Sequence, residues 1–168
     1  DVARFSHMWR ESAMDFPSPE LWRWTIDTTT GKVVEEQIDD RSAEFPRVAD
    51  SVVGLKHRYG YMMGSAFDDD PANASGAILK NDREAGTRSD IEFGRGREGG
   101  EPVFVPSANP KGEDVGYLMT YVYDAATDAS SFVIMDAATM DSTPVASIEL
   151  PRIPGGFHGS WIPASVAD

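Results

Sequence analysis

The 168 residues contain no cysteine. Disulfide scaffolds, zinc–thiolate sites, iron–sulfur clusters and cysteine nucleophiles are therefore excluded. Histidine is scarce too, with three copies, so an imidazole-based centre has few places to form. No apolar run approaches the roughly 20 residues that a membrane helix requires. Positive charge is the minority sign: 15 Lys and Arg stand against 28 Asp and Glu, a formal charge of −13. A surface of that sign repels phosphate backbones and anionic headgroups, so nucleic acid is not an expected partner. Nor is there a basic amphipathic patch to carry membrane association. The cytoplasm is the expected location, with membrane contact at most peripheral.

What is present is the material of a folded β protein. Hydrophobic residues make up 40% of the chain, among them four Trp, five Tyr and eight Phe, enough for a core rather than a disordered chain. Short runs rich in β-branched and aromatic residues alternate with clusters of Gly, Asp, Asn and Pro. LWRWTIDTTTGKVVEEQI predicts a hairpin that turns between Asp27 and Gly31. HRYGYMMG reads as a strand, and GAILKND pairs with TRSDIEFG across the REAG turn. GYLMTYVYDAATDASSFVIMDAAT predicts another hairpin turning at Ala125 to Ala129, and TPVASIEL one more strand. The only helical candidate is the N-terminal VARFSHMWRESA. WTIDTTTGKVV, YVYDAATDASSFVI and VIMDAATMDSTPVASI share one layout, an apolar strand ending in Asp, a short turn and another apolar strand. Such recurrence suits the blades of a propeller, so the fold class is all-β.

Familiar catalytic signatures are missing: there is no G-x-S-x-G, Walker loop, H-E-x-x-H or EF-hand spacing. Gly94, Gly96 and Gly99 in FGRGREGG satisfy G-x-G-x-x-G, but no βαβ unit surrounds them and the stretch reads as a flexible loop. Two glutamates lie just ahead of prolines at strand openings, Glu44 in AEFPRV and Glu101 in GGEPVFVPS. The residue before a proline is held extended, which limits where a nearby carboxylate points. His158 sits in PRIPGGFHGSW, flanked by Gly155, Gly156 and Gly159. The residues alone leave two readings open, a structural turn or a metal ligand whose second nitrogen is held by Glu44 or Glu101. His57 reads as a polar residue at a strand edge, and His7 lies in the N-terminal segment.

Taken in order, LWRWTIDTTTGKVVEEQIDDRSAEFPRV, HRYGYMMG, GEPVFVPSANPKGEDVGYLMTYVYD, SFVIMDAATM and VASIELPRIPGGFHGSW resemble the C-terminal part of the carotenoid cleavage oxygenases. That family includes the lignostilbene dioxygenases and the retinal pigment epithelium isomerase. The resemblance runs from about Leu21 to Trp161. It implies a seven-bladed β-propeller with Fe(II) on its axis, held by four histidines, three of which hydrogen-bond glutamates through their outer nitrogens. It also implies cleavage of a polyene or stilbene double bond by O2 to two carbonyl products. His158 in FHG matches the last iron ligand, and Glu44 in EFP and Glu101 in EPVFV match two of the supporting glutamates. His7 and His57 match no ligand.

On that resemblance, residues 1–168 form a single partial propeller region, the C-terminal third or so of such an enzyme. The remaining ligands lie in an N-terminal part that completes the propeller. DVARFSHMWRES carries neither an apolar signal core nor an initiating Met, in keeping with that expectation. The chain alone is then expected neither to hold iron tightly nor to turn over substrate. Two rival readings remain: a non-catalytic propeller module that binds a partner, and a glycosidase-type acid/base pair of Glu44 and Glu101. Phe104, Phe157 and Trp161 lie near the motif residues, where they line a substrate tunnel or, the commoner role for such residues, pack in the core.

Overall fold

The computed structural model describes residues 2–4, 19–66 and 72–164. Among them there are twelve strands: β1 (Val2–Arg4), β2 (Glu20–Ile26), β3 (Val33–Asp39), β4 (Ala43–Arg47), β5 (Tyr59–Ala66), β6 (Ser75–Asp82), β7 (Thr87–Arg95), β8 (Arg97–Gly99), β9 (Val103–Pro106), β10 (Gly116–Asp124), β11 (Ala129–Asp136) and β12 (Ala146–Pro151). A short 3-10 turn covers Asp50–Val52.

The strands form three antiparallel groups. β1, β2 and β3 make a small sheet, in which Trp22 faces Val2 on one side and Gln37 on the other. β4, β5, β6 and β7 make a four-stranded meander. β9, β10, β11 and β12 make a second one. β8 joins the two meanders, pairing antiparallel with β10 and touching β6 at the single parallel pair Ser75–Arg97.

Every strand pair expected from the sequence forms, and one cause recurs at the turns. Asp27, Asp82 and Asp136 each end a strand and accept the backbone N–H groups two and three residues on. Asp124 accepts that of Ala126. An aspartate that bonds its own turn replaces the missing ladder partner and stops the strand, which is the physical content of the repeated strand–Asp–turn layout.

Burial explains the stacking of the meanders. All six residues from 76 to 81 in β6 are buried, a pattern that requires cover on both faces. Tyr61, Ile78 and Ile91 pack with Phe104, Leu118, Val122, Val133 and Met135 of the second meander. Met62, Ala77 and Leu79, on the opposite face, pack with Leu21 of β2 and Ala43. Close approach demands small residues at the seams: a Cβ on Gly116 would lie 2.3 Å from the Val105 carbonyl oxygen. One on Gly76 would lie 2.5 Å from the Gly99 nitrogen.

Two expectations are corrected. Val2–Arg4 is a strand on β2 rather than the start of a helix, and the pairing sets Arg4 over the Trp22 ring and 3.0 Å from Glu35. The rest of VARFSHMWRESA, His7 included, lies outside the described residues. FGRGREGG is not a loose loop. Gly94 and Gly96 adopt φ of 89° and 76° and turn the chain sharply enough for Arg97–Gly99 to pair with β10.

Candidate metal centre

The chain enters the site at Gly100, whose N–H donates to the Tyr121 carbonyl at 2.9 Å while its own carbonyl accepts the Thr120 hydroxyl. Glu101 is thus fixed to β10 before Pro102 leads into β9. Its side chain is 6% exposed. One oxygen, Oε1, lies 3.3 Å from His158 Nδ1; the other, Oε2, accepts the Gly159 N–H at 2.7 Å and lies 3.4 Å from Arg47 Nη1. An ionised carboxylate only accepts, so the neutral imidazole carries its proton on Nδ1 and leaves the Nε2 lone pair free. The His158 side chain is 73% exposed, so that lone pair belongs to a group open to a ligand from outside this chain.

Glu101 and His158, two residues singled out in the sequence, are therefore brought together across 57 positions. Glu44 stands differently. It pairs with Met63 of β5 through the ladder, is half-buried, and its carboxylate has no hydrogen-bond or ion-pair partner among the described residues. Burial pushes its carboxyl above the ordinary range. The expected extended geometry before Pro46 is not found either. Phe45 adopts φ of 52°, and residues 44 to 47 of β4 oppose only 63 to 61 of β5. This is a β-bulge, and a bulky residue at positive φ before a proline is strained. Its ring meets His158 edge-on at 5.3 Å and Phe157 at 6.2 Å.

The other candidates separate cleanly. His57 is occupied at both nitrogens, with the Leu55 carbonyl on Nδ1 and the Arg83 guanidinium on Nε2, which suits the strand-edge role read for it. Phe104 is a core residue stacked on Tyr61 at 5.5 Å. Phe157 and Trp161 are not: both are exposed, with Ile162 beside them, because residues 152–163 run outside the sheets. Nothing in the geometry favours the glycosidase reading, since both Glu101 oxygens are turned to the His158 segment. Among the described residues no three metal-binding side chains come together, so those residues offer His158 as an imidazole donor rather than a complete site. Sequence reasoning missed Phe45 and Arg47. Their signal was adjacency, since both flank Pro46 in the same EFPR run as Glu44.

Comparison with known proteins supplies the context for a lone, oriented histidine. The chain is 36% identical to a carotenoid cleavage oxygenase of Mycobacterium tuberculosis, over 98% of this chain and 34% of that protein. It is 38% identical to an apocarotenoid-15,15'-oxygenase of Synechocystis, over 84% and 29%. The cobalt-substituted structure of the Synechocystis apocarotenoid oxygenase superposes with a TM-score of 0.81 at 35% identity, covering 90% of this chain and 32% of the other. A point mutant of the same enzyme gives 0.80 at 36% identity, over 88% and 31%. The chain thus spans about a third of the length of these relatives, and its stacked meanders are blades of their seven-bladed propeller. The family model for retinal pigment epithelial membrane protein matches residues 3–163, a span that includes Glu44, Glu101 and His158, and the chain belongs to that family.

Proposed function

We propose that the chain is the C-terminal part of a non-haem Fe(II) dioxygenase. The enzyme cleaves a carbon–carbon double bond of a carotenoid, apocarotenoid or stilbene with O2, giving two carbonyl products. The observation that carries this reading is the Glu101–His158 pair, an exposed imidazole whose Nδ1 faces a buried carboxylate and whose Nε2 is left to bind a metal.

The donor chemistry fits the metal. Neutral imidazole nitrogen suits Fe(II), and a buried carboxylate on the far nitrogen fixes the ring and raises its basicity. When bound, iron supplies the activation of O2 beside an apolar double bond. His158 contributes one ligand and Glu101 orients it. Glu44, half-buried and with no side-chain partner among the described residues, would accept the outer N–H of an imidazole from the rest of the propeller. Phe45, Phe157 and Trp161 give the surroundings of His158 an apolar surface, the character a rigid polyene or stilbene needs.

The partners follow: the remaining propeller, O2 and an apolar substrate. The test is aerobic incubation of the complete enzyme with an apocarotenoid and with a stilbene, with and without an Fe(II) chelator. Chelator-sensitive formation of aldehyde products is expected. Absence of any carbonyl product from the iron-loaded enzyme overturns the reading. Purified alone, this chain is expected to retain far less than one iron per molecule, as a single imidazole cannot hold the metal against dissociation.

A further inference from the structure

The segment that carries His158 has no ladder of its own. From 152 to 163 it joins no strand, and none of the described backbone–backbone hydrogen bonds involves it. Its position depends on side chains of other elements. Arg152 pairs with Asp128, and the Ile153 N–H donates to Ser130 Oγ. Nearer the histidine, the grip is tighter and comes from two residues. Gly159 donates its N–H to Glu101 Oε2 at 2.7 Å and accepts Arg47 Nη1 on its carbonyl oxygen. The same Nη1 lies 3.4 Å from Glu101 Oε2, and Nη2 lies 3.4 Å from Asp50.

Both polar backbone groups of the residue after His158 are thereby bracketed between a guanidinium and a carboxylate. The remaining oxygen of that carboxylate takes His158 Nδ1. Arg47 is 21% exposed in its side chain, and the two N–H groups of its Nη1 can serve the carbonyl and the carboxylate together while Nη2 turns to Asp50. It also compensates the charge of a carboxylate that is nearly shut off from water. The bulge accounts for its reach: the extra residue in β4 resets the side-chain alternation just before Arg47. The exposed Asp50 contact, three residues along, contributes little by itself.

We propose that Arg47 is a positioning residue of the His158 centre. With Glu101 it clamps Gly159 and so holds the imidazole with Nδ1 protonated and Nε2 free. Its value for catalysis rests on the iron reading above, while the clamp itself is a property of this chain.

The test is a long-range 1H–15N correlation spectrum of the labelled chain, taken where the imidazole is neutral. In the wild-type chain the Nδ1–H form of His158 dominates. Arg47→Met, which keeps the stem and removes the donors, shifts the population toward Nε2–H. It also speeds Gly159 amide exchange about tenfold, the effect of one charge-assisted hydrogen bond. Arg47→Lys restores part of the Nδ1–H population. Arg152→Met, which cuts another tether of the same segment, leaves the tautomer alone. Should Arg47→Met fail to fold, Arg47→Gln keeps one donor and gives a smaller shift in the same direction. A His158 tautomer unchanged in the folded Arg47 variant overturns the proposal. Iron content of the complete enzyme separates the two readings. A tautomer shift without iron at His158 keeps the clamp and removes the metal role, and iron at His158 with an unmoved tautomer does the reverse.

Discussion

In β6 every residue from 76 to 81 is buried, and the strand is paired with β5 on one edge and β7 on the other. From 152 to 163 all residues but Ile153 are exposed or nearly so, and no strand pairing occurs. The first region is held by backbone ladders and by apolar contact on two faces. The second is held by a handful of side chains that reach out from the sheets: Arg47, Glu101, Asp128 and Ser130. The difference teaches where stability and chemistry are separated in this chain. The stacked meanders supply rigidity, and the histidine is carried on a segment whose geometry a few polar residues determine. Such a segment can present a nitrogen to an outside ligand because its own backbone is not committed to a sheet.

That contrast can be broken from either side. The largest expected effect comes from the core. Leu118 is 0% exposed, and Leu118→Ala is expected to cost about 2–5 kcal/mol in urea denaturation, the range for a cavity in a packed interior.

Next in size is the ion cluster that ties β3 to the first meander. Asp39 has a side chain shielded completely from solvent and meets Arg41 and Arg88. Burial raises its carboxyl, but hydrogen bonds from Arg41, from the Arg41 backbone and from Arg88 outweigh that and hold it at about 2. Its folded value lies below its ordinary value of 3.8. Asp39 therefore adds stability above about pH 4, and loses it as the pH falls from about 4 to about 2. The contribution is about 2 kcal/mol at neutral pH. Asp39→Asn is expected to lose most of that near pH 7 and to differ less from the wild type near pH 3.

Glu44 works in the opposite sense. Its raised value means that its ionised form opposes folding as the pH rises through its ordinary range. In this chain alone Glu44→Gln is expected to leave stability at neutral pH equal or slightly higher, although on the proposed role of Glu44 the same change would remove a supporting acceptor from the complete enzyme. A clear loss of stability in the denaturation curve would show that Glu44 has a partner in this chain.

The smallest expected effect on folding lies in the tethered segment. His158→Ala should move the denaturation midpoint by less than about 0.5 kcal/mol, as for an exposed side chain. A loss comparable to that of Leu118→Ala would erase the distinction between the two regions.

Much of the fold was legible because it rests on local chemistry. The hairpins follow from apolar alternation and from aspartates such as Asp27 and Asp136 that end strands by bonding their own turns. The Glu101–His158 pair was half legible: the residues offered Glu44 or Glu101 as the holder of the second imidazole nitrogen, and neither they nor the resemblance chose between the two. The residues are far apart in sequence, and nothing in a Gly-rich turn announces that its histidine faces a particular carboxylate. What escaped is what depends on backbone strain and on contacts between distant segments. The positive φ of Phe45 contradicts the rule for residues before proline, and no local pattern foretells a bulge there. Arg47 resembled any surface arginine until the segment carrying Gly159 was laid against it. The exposure of Phe157 and Trp161 was hidden for a related reason, since an aromatic-rich stretch reads as core until its strand pairing is found to be missing.

The most direct test of the central claim is the iron content of the complete enzyme with His158 intact and as His158→Ala, measured on folded protein by metal analysis. If His158 Nε2 is a ligand, iron falls from near one per chain to background and aldehyde formation stops, while the metal-free forms of the two proteins unfold at the same midpoint. Iron at the wild-type level in His158→Ala would contradict it.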